Sequence, residues 1–172
     1  NYLALIKNAM ITAGFSYVPV LSLNTGTSYG NEQPAFKADA KLALSLTLKA
    51  LHFSEFIGSM YRSMVVREKE KGASRKLMDK YLETAVSYIE SKNEDKLIKL
   101  LDEAVIEFNN LEITDHQPKA VGLIGEIYIK YNTFGQLHIG EWLQERGIEV
   151  VVPSIFSFIL QFFVNDKVNH KN

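Results

Sequence analysis

The sequence predicts an α/β protein in which an incomplete, Rossmann-like parallel sheet is interrupted by a helical insert at about residues 39–111. One observation is the stretch from Gly122 to Gln136, where an apolar run ends in a polar turn with glycine and continues as a helical pattern. That order of strand, loop and helix is typical of a parallel sheet. The second observation concerns the insert, in which apolar side chains recur mostly three or four positions apart, as in amphipathic helices.

Composition and charge narrow the functions that the chain can have. Of its 172 residues, 47% are apolar, which is enough for a sizeable core. The 19 basic and 20 acidic residues leave a net charge of −1, so neither nucleic acid nor a membrane is expected as a partner. Since the sequence shows no leader-like start and no long apolar run, the predicted location is the cytoplasm.

The residue types that bind metals are absent or scattered. The chain has no cysteine, which excludes disulfides, thiolate zinc sites and cysteine-ligated iron–sulfur clusters within it. The histidines lack the spacing of a metal site, so no metal is expected. Neither a Gly-x-Ser-x-Gly elbow nor a complete phosphate-binding loop occurs.

The first predicted elements are a helix and a strand. Apolar residues between Tyr2 and Ala13 follow helical spacing, and Gly14 ends that helix in the left-handed conformation that glycine tolerates. Residues 17–23 form a short apolar run, which we interpret as a buried strand. The polar residues 24–34 then form the loop at its carboxyl end.

The insert is predicted to consist of amphipathic helices. One or two helices cover residues 39–65, and the next covers about residues 74–89, after a charged run that ends in glycine. A further helix continues to Phe108, and a capping box formed by Ser91 and Glu94 is predicted to open it.

After the insert, the pattern returns to strand, helix and strand. We predict a strand over residues 120–127, a loop, a helix over residues 134–146 and a parallel strand over residues 148–152. Gly147 is the expected helix terminator, and Ser154 is expected to cap a final helix.

Three regions follow from these elements. Residues 1–38 form part of a first α/β lobe, residues 39–113 are the helical insert, and residues 114–172 are a second lobe of β-α-β order. Only three strands can be counted, and the chain opens inside a helical pattern. We therefore expect the second lobe to continue beyond the chain, and the chain to be a fragment of a larger protein.

Candidate site residues are those expected at the carboxyl ends of the strands, because ligands of open parallel sheets bind in that crevice. They are Glu126, Lys130, Asn132 and Gln136 after one strand, and Asn24 and Thr25 after another. Glu126 is a candidate general acid or base, or a group that orients a substrate. The alternative is a local role, in which the Glu126 carboxylate accepts hydrogen bonds from the backbone or from Lys130.

Two motifs resemble the 2-hydroxyacyl-CoA dehydratase superfamily, most closely the dehydratase-like domain of large acyl-CoA dehydratase activases. They are Gly125-Glu-Ile-Tyr-Ile-Lys-Tyr-Asn-Thr-Phe-Gly-Gln136 and Leu143-Gln-Glu-Arg-Gly-Ile-Glu-Val-Val-Val-Pro153. The similarity extends to residues 1–24 and, loosely, to residues 61–72. The chain departs from the family at Gln136, where the family often has asparagine, and in its lack of cysteine.

That resemblance implies Rossmann-like lobes with helical insertions and a part in the dehydration of 2-hydroxyacyl-CoA thioesters. In the family, an ATPase module supplies an electron to a dehydratase that carries a [4Fe–4S] cluster. We expect no cofactor in this chain, ATP and a cluster bound elsewhere in the parent protein, and acyl-CoA as the ligand. The expected partners are other domains of the same polypeptide, or a separate dehydratase or ATPase.

Two other functions stay open. The chain is alternatively a structural or docking module that joins ATPase and dehydratase-like parts through the surface of residues 156–164 and the helical insert. A standalone small-molecule enzyme is a third hypothesis, because an α/β crevice supports many reactions.

Overall fold

The computed structural model of the protein describes residues 2–20, 40–158 and 161. The chain divides into two compact units, Asn1–Ala40 and Lys41–Asn172. The three-region division predicted from the sequence stays a prediction. Among the described residues, no helix combines the length and the apolar composition needed to cross a bilayer.

The first unit contains helix α1, Tyr2–Thr12. Gly14 follows it with a φ of 84°, which confirms the predicted glycine terminator. The strand predicted at residues 17–23 is wrong in its described part, because residues 17–20 form a turn, a bend and irregular backbone. Pro19 lacks the amide donor that a strand ladder needs. Residues 21–23 and the loop at 24–34 lie outside the described residues.

Three long helices dominate the second unit and confirm the helices predicted between residues 39 and 111. They are α2, Ala40–Met64, α3, Ala73–Glu90, and α4, Leu97–Asn109. We call these three helices the three-helix segment. Residues 40–64 form one continuous helix, which decides between the one or two helices that the sequence allowed.

The apolar stripes of the three helices meet in one core. Its buried residues are Phe53, Ile57, Tyr81, Ala85, Leu97, Leu100, Ala104 and Phe108. Their spacing of three, four or seven along each helix places them on one face, as the sequence pattern predicted. The three helices therefore bury apolar side chains in one shared core.

The ends of α3 depend on local hydrogen bonds. At its start, Gly72 is left-handed and the Glu68 carboxylate accepts from the amides of Gly72 and Ser74, both at 2.7 Å. At its end, the predicted capping box of Ser91 and Glu94 is wrong. The Ser91 hydroxyl donates backwards to the Ser87 carbonyl at 2.7 Å, and a short 3-10 helix, Glu94–Lys96, leads into α4 without a side-chain cap.

The remaining elements form a β-α-α-β unit, which we call the crossover segment. They are β1, Ala120–Gly122, α5, Ile127–Tyr131, α6, Ile139–Gln144, and β2, Glu149–Val151. The strands are parallel, with Val121 opposite Val150. The strand predicted at residues 148–152 is confirmed, and so is the terminator Gly147, with a φ of 72°.

Two predicted boundaries in the crossover segment are wrong. The first strand ends at Gly122 instead of residue 127, because the Glu126 carboxylate caps a helix by accepting from the Ile129 amide at 3.1 Å. The helix predicted at 134–146 begins only at residue 139. Leu137 and His138 both have φ near 55°, and two left-handed residues in succession interrupt a right-handed helix.

The described part of the chain is thus a mixed α/β structure with a two-stranded parallel sheet, whereas three strands were predicted. After β2, residues 155–158 are helical, and we call them the C-terminal helical turn. Ser154 caps it as predicted, since its hydroxyl accepts from the Ser157 amide at 3.1 Å.

A half-buried ion pair joins the three-helix and crossover segments. Arg67, just after α2, donates to the Glu149 carboxylate of β2 at 2.6 Å. The hydrogen bond from Arg67 lowers the pKa of Glu149, and burial opposes this only in part. The pair therefore ties the start of β2 to the end of α2.

Candidate functional site

A cleft of about 430 Å³ lies just beyond the carboxyl end of β2. Three parts of the chain line it: one face of α2, the last residue of α5 and the residues that follow β2. Its polar side chains include His52, Glu55, Ser59, Arg62, Tyr131 and Ser154. In open parallel sheets, ligands bind beyond the carboxyl ends of the strands, so this is the position in which a site is expected.

Helix α2 reaches the cleft because two stripes of side chains run along it. Phe53 and Ile57, four residues apart, are buried in the core. A second stripe, also spaced three or four apart, lines the cleft. It consists of His52, Glu55, Ser59 and Arg62. The core contacts of α2 therefore hold a polar face toward the cleft.

Tyr131 brings the crossover segment to the same cleft. It is the last residue of α5, and its hydroxyl donates a hydrogen bond to the carbonyl of Pro153. The Leu123 amide donates to the Val151 carbonyl at 2.9 Å, which extends the pairing of the two strands by one bond. These two hydrogen bonds connect the segment that follows β1 with the segment that follows β2, next to the cleft.

Glu55 holds in place the residues after β2 that line the cleft. Its carboxylate accepts from the Ser154 hydroxyl at 2.5 Å and from the amides of Ile155 and Phe156 at 2.5 and 3.1 Å. A carboxylate that accepts several donors at the start of a helical turn stabilises it through charge-assisted hydrogen bonds. Glu55 thus anchors the C-terminal helical turn to α2.

Arg62 supplies the positive charge of the cleft. It is half-buried, and burial lowers the pKa of its guanidinium, an effect that the negative charge of Glu55 opposes. Within the described residues, no acceptor or carboxylate lies close enough to form a hydrogen bond or an ion pair with it. Arginine stays protonated in proteins. Arg62 is therefore a partly desolvated cation without a direct partner among those residues.

Gly58 makes room for this arginine. A Cβ atom at residue 58 would lie 3.0 Å from Nη1 of Arg62. Glycine costs helix stability relative to alanine in the interior of a helix. The absent side chain allows the guanidinium to lie against the helix one turn back.

The cleft also has an aromatic wall. The His52 ring meets Phe56 at 4.8 Å in an edge-on arrangement and meets Phe156 at 4.6 Å in a tilted one. Aromatic groups of this kind give an apolar surface to a ligand beside the polar groups that orient it.

The structure places Glu126 outside this cleft. Its carboxylate caps α5, as in the local alternative considered above, and the residue is exposed. Lys130 precedes Tyr131, and its ammonium lies 4.7 Å from the centroid of the Tyr131 ring. Its carbonyl accepts from the Gln136 side chain at 3.4 Å.

Asn132 has a local contact too. Its side-chain oxygen accepts from the Gly135 amide at 3.0 Å, which shapes the turn between α5 and α6. Asn24 and Thr25 lie outside the described residues. The structure therefore brings Lys130, Asn132 and Gln136 together near Tyr131, and the cleft itself is lined by other side chains. The catalytic or binding roles suggested for the sequence candidates stay predictions.

The sequence contained signals for the residues of the cleft. Gly58 is an isolated glycine in a helical pattern, where the missing Cβ leaves room for a neighbouring group. The polar stripe from His52 to Arg62 recurs at helical spacing beside the apolar stripe. No pattern in the sequence, however, shows that this stripe faces the end of a strand about 90 residues later.

Among the described residues, no group of three or more His, Asp or Glu side chains is arranged to hold a metal ion. Comparison with models of known protein families found no match, and comparisons with curated proteins and with solved structures found none either.

Proposed function

We propose that this chain is a Rossmann-like, dehydratase-like module of an activator of 2-hydroxyacyl-CoA dehydratase, and that it binds an acyl-CoA thioester. The observation that carries the proposal is the cleft at the carboxyl end of β2, next to a parallel β-α-α-β unit. Ligands of α/β proteins bind in this position. The motif resemblance described above supplies the ligand class.

The chemistry of the cleft suits one part of such a thioester. An acyl-CoA has phosphate groups, which would pair with Arg62, and the aromatic wall of His52, Phe56 and Phe156 would contact the part of the ligand next to them. Binding pockets for small molecules commonly measure about 300–1,000 Å³. The cleft, at about 430 Å³, has room for part of the ligand.

In this proposal, the chain positions a ligand and other domains or subunits supply the reactive cofactors. Because the chain has no cysteine, a cluster would have to be ligated elsewhere. ATP hydrolysis likewise belongs to a separate ATPase. The role of this module is to hold the thioester and to exclude water from part of it.

Calorimetric titration of the chain with 2-hydroxyacyl-CoA and with free CoA tests the proposal. The cleft-blocking variant Ser59→Trp places a large ring among the lining residues and is expected to abolish thioester binding. Ser87→Trp is the matched control, since Ser87 is an exposed serine of α3 that does not line the cleft. We expect it to bind as the unaltered chain does.

Two results would reject the proposal: the chain shows no thioester binding, or Ser59→Trp and Ser87→Trp bind equally well. Circular dichroism of both variants shows whether the helices are retained, so that loss of binding is not confused with loss of folding.

A second function, docking between ATPase and dehydratase-like parts, is favoured by one observation. Three large apolar side chains of the crossover segment are more than four-fifths exposed: Ile124 at 85%, Phe134 at 81% and Leu137 at 86%. Contiguous exposed apolar patches often mark contact surfaces, and in this second proposal the three side chains belong to one such patch. The surface of residues 156–164 first suggested for docking lies partly outside the described residues.

The docking function makes a different prediction from the thioester function. The double variant Phe134→Asp and Leu137→Asp would disrupt co-purification with the ATPase or dehydratase partner and leave thioester binding intact. If Ser59→Trp disrupts co-purification and the double variant does not, docking through these side chains is wrong.

A further inference from the structure

We propose that Arg62 is an oxyanion anchor of the cleft, held in place by Gly58, and that it binds a phosphate or carboxylate group of the ligand. This inference rests on the proposed function, because it assigns a recognition role within the same cleft. It goes beyond that function by naming the residue, the chemical group it binds and the residue that positions it.

The first argument is the state of the arginine. A guanidinium at the end of a helix usually complements the helix dipole from the surface, and Arg62 does lie in the last turn of α2. Arg62 is, however, half-buried and lines a cleft, and the described residues offer it no direct acceptor. Partial desolvation of a cation is unfavourable unless an anion compensates it. A bound oxyanion would supply that compensation.

The second argument is that Glu55 is already occupied. Both of its oxygens accept hydrogen bonds from the C-terminal helical turn and from Ser154. Glu55 therefore acts on Arg62 only through space, and the donors of the guanidinium stay available. An oxyanion accepts two parallel hydrogen bonds from a guanidinium, a geometry that suits phosphate and carboxylate alike.

The third argument concerns Gly58. A Cβ atom there would lie 3.0 Å from Nη1 of Arg62, so any other residue would displace the guanidinium by a few tenths of an ångström. Alanine would favour the helix more than glycine does. We infer that glycine is used here to position Arg62, which makes Gly58 a positioning residue.

The experiment is calorimetric titration of the 172-residue chain with sodium diphosphate and, separately, with sodium succinate. Arg62→Gln is expected to weaken binding of the preferred anion by about tenfold or more, as loss of a charge-assisted hydrogen bond does. Arg75→Gln is the control, since Arg75 is an exposed arginine of α3 paired with Asp79. It is expected to leave the affinity unchanged.

Gly58→Ala separates positioning from folding. It is expected to keep or raise the melting temperature and yet weaken anion binding by about threefold or more, because hydrogen-bond strength depends on geometry. A purely structural glycine would give no loss of affinity. Preference for diphosphate identifies the phosphate end of the ligand as the bound group, and preference for succinate identifies a carboxylate.

The inference is overturned if neither anion binds, or if Arg62→Gln binds as the unaltered chain does. Its failure differs from failure of the proposed function. Thioester binding that is insensitive to Arg62→Gln would reject the anchor and keep the acyl-CoA module. Anion binding that depends on Arg62, with no thioester binding, would keep the anchor and reject the acyl-CoA module.

Discussion

The three-helix segment and the crossover segment lie in the same unit and bury their side chains very differently. Eight of the nine buried apolar residues described belong to the first, and Val150 of β2 is the ninth. The crossover segment instead has many large apolar groups that are exposed, among them Ile124, Phe134 and Leu137. Its strands have only three residues each.

This contrast indicates that the two segments contribute differently to the stability of the unit. Burial of apolar surface is the main source of stability, so the three-helix segment stabilises the unit. The crossover segment contributes less burial, and it is held by specific contacts such as Arg67 with Glu149. The cleft lies where the two meet, and its polar stripe belongs to α2, the helix that also places Phe53 and Ile57 in the core.

The largest expected effect tests the contrast directly. Phe108→Ala removes a ring that is 2% exposed and should lower the free energy of unfolding by about 3–5 kcal/mol. Phe134→Ala removes a ring that is 81% exposed and should change it by less than about 0.5 kcal/mol. Urea unfolding measures both. Equal losses would show that the two segments share stability evenly.

A smaller effect is expected at Glu55, which connects the segments at the cleft. Glu55→Gln replaces a charged acceptor of three hydrogen bonds and should destabilise the C-terminal helical turn by about 1.5–3 kcal/mol. Hydrogen exchange of the Ile155 and Phe156 amides should accelerate. The control Glu83→Gln, at an exposed site of α3, should leave both amides protected. Unchanged exchange in Glu55→Gln would contradict the anchoring role.

The Arg67–Glu149 pair adds a dependence on pH. Because the pKa of Glu149 is lowered in the folded state, its stabilising effect is present above the unfolded pKa of about 4.3 and is lost as the pH falls through the folded value. Glu149→Gln should therefore cost about 1–3 kcal/mol near pH 7. The cost should shrink toward acid pH, as measured by urea unfolding in both conditions. If Glu149→Gln lowered the free energy of unfolding by the same amount at both pH values, the predicted pH dependence would be wrong.

The smallest effect concerns an exposed pair within the three-helix segment. Lys80 donates to Glu107 at 2.7 Å, but the two side chains are 53% and 43% exposed. Lys80→Gln should cost at most about 1 kcal/mol, and less in high salt, because water and ions screen the pair. Thermal unfolding at low and high salt measures it. If Lys80→Gln lowered the free energy of unfolding by more than Glu149→Gln does, the prediction that the more exposed ion pair contributes less would be wrong.

The long helices were predictable because their signal is repeated many times. Each turn of α3 and α4 adds another apolar residue to the same stripe, so a single misleading residue does not change the prediction. Glycine terminators at Gly14 and Gly147 were predictable for a local reason, their tolerance of positive φ. The parallel pairing of the strand near residue 150 also followed from the order of elements.

The crossover segment was harder to predict because its elements are short. The run from Ile127 to Tyr131 contains β-branched and aromatic residues that favour a strand, and a single cap by Glu126 makes it helical. The left-handed backbone of Leu137 and His138 has no glycine to signal it. Ser91 and Glu94 match a capping box, but the Ser91 hydroxyl bonds to the preceding turn instead.

The sequence by itself determined the long helices between residues 39 and 111, their apolar stripes, the glycine terminators and the order of the parallel strands and the helices between them, because each follows a pattern that is local in the sequence. Only the tertiary structure decided that Arg62, Glu55 and His52 meet Tyr131 and the residues after β2. The lining residues of α2 and those of the later segments are 69 or more positions apart in the chain, the shortest separation being between Arg62 and Tyr131. Local periodicity carries no information on which distant segment a polar face meets, so the cleft emerges only when the helices pack.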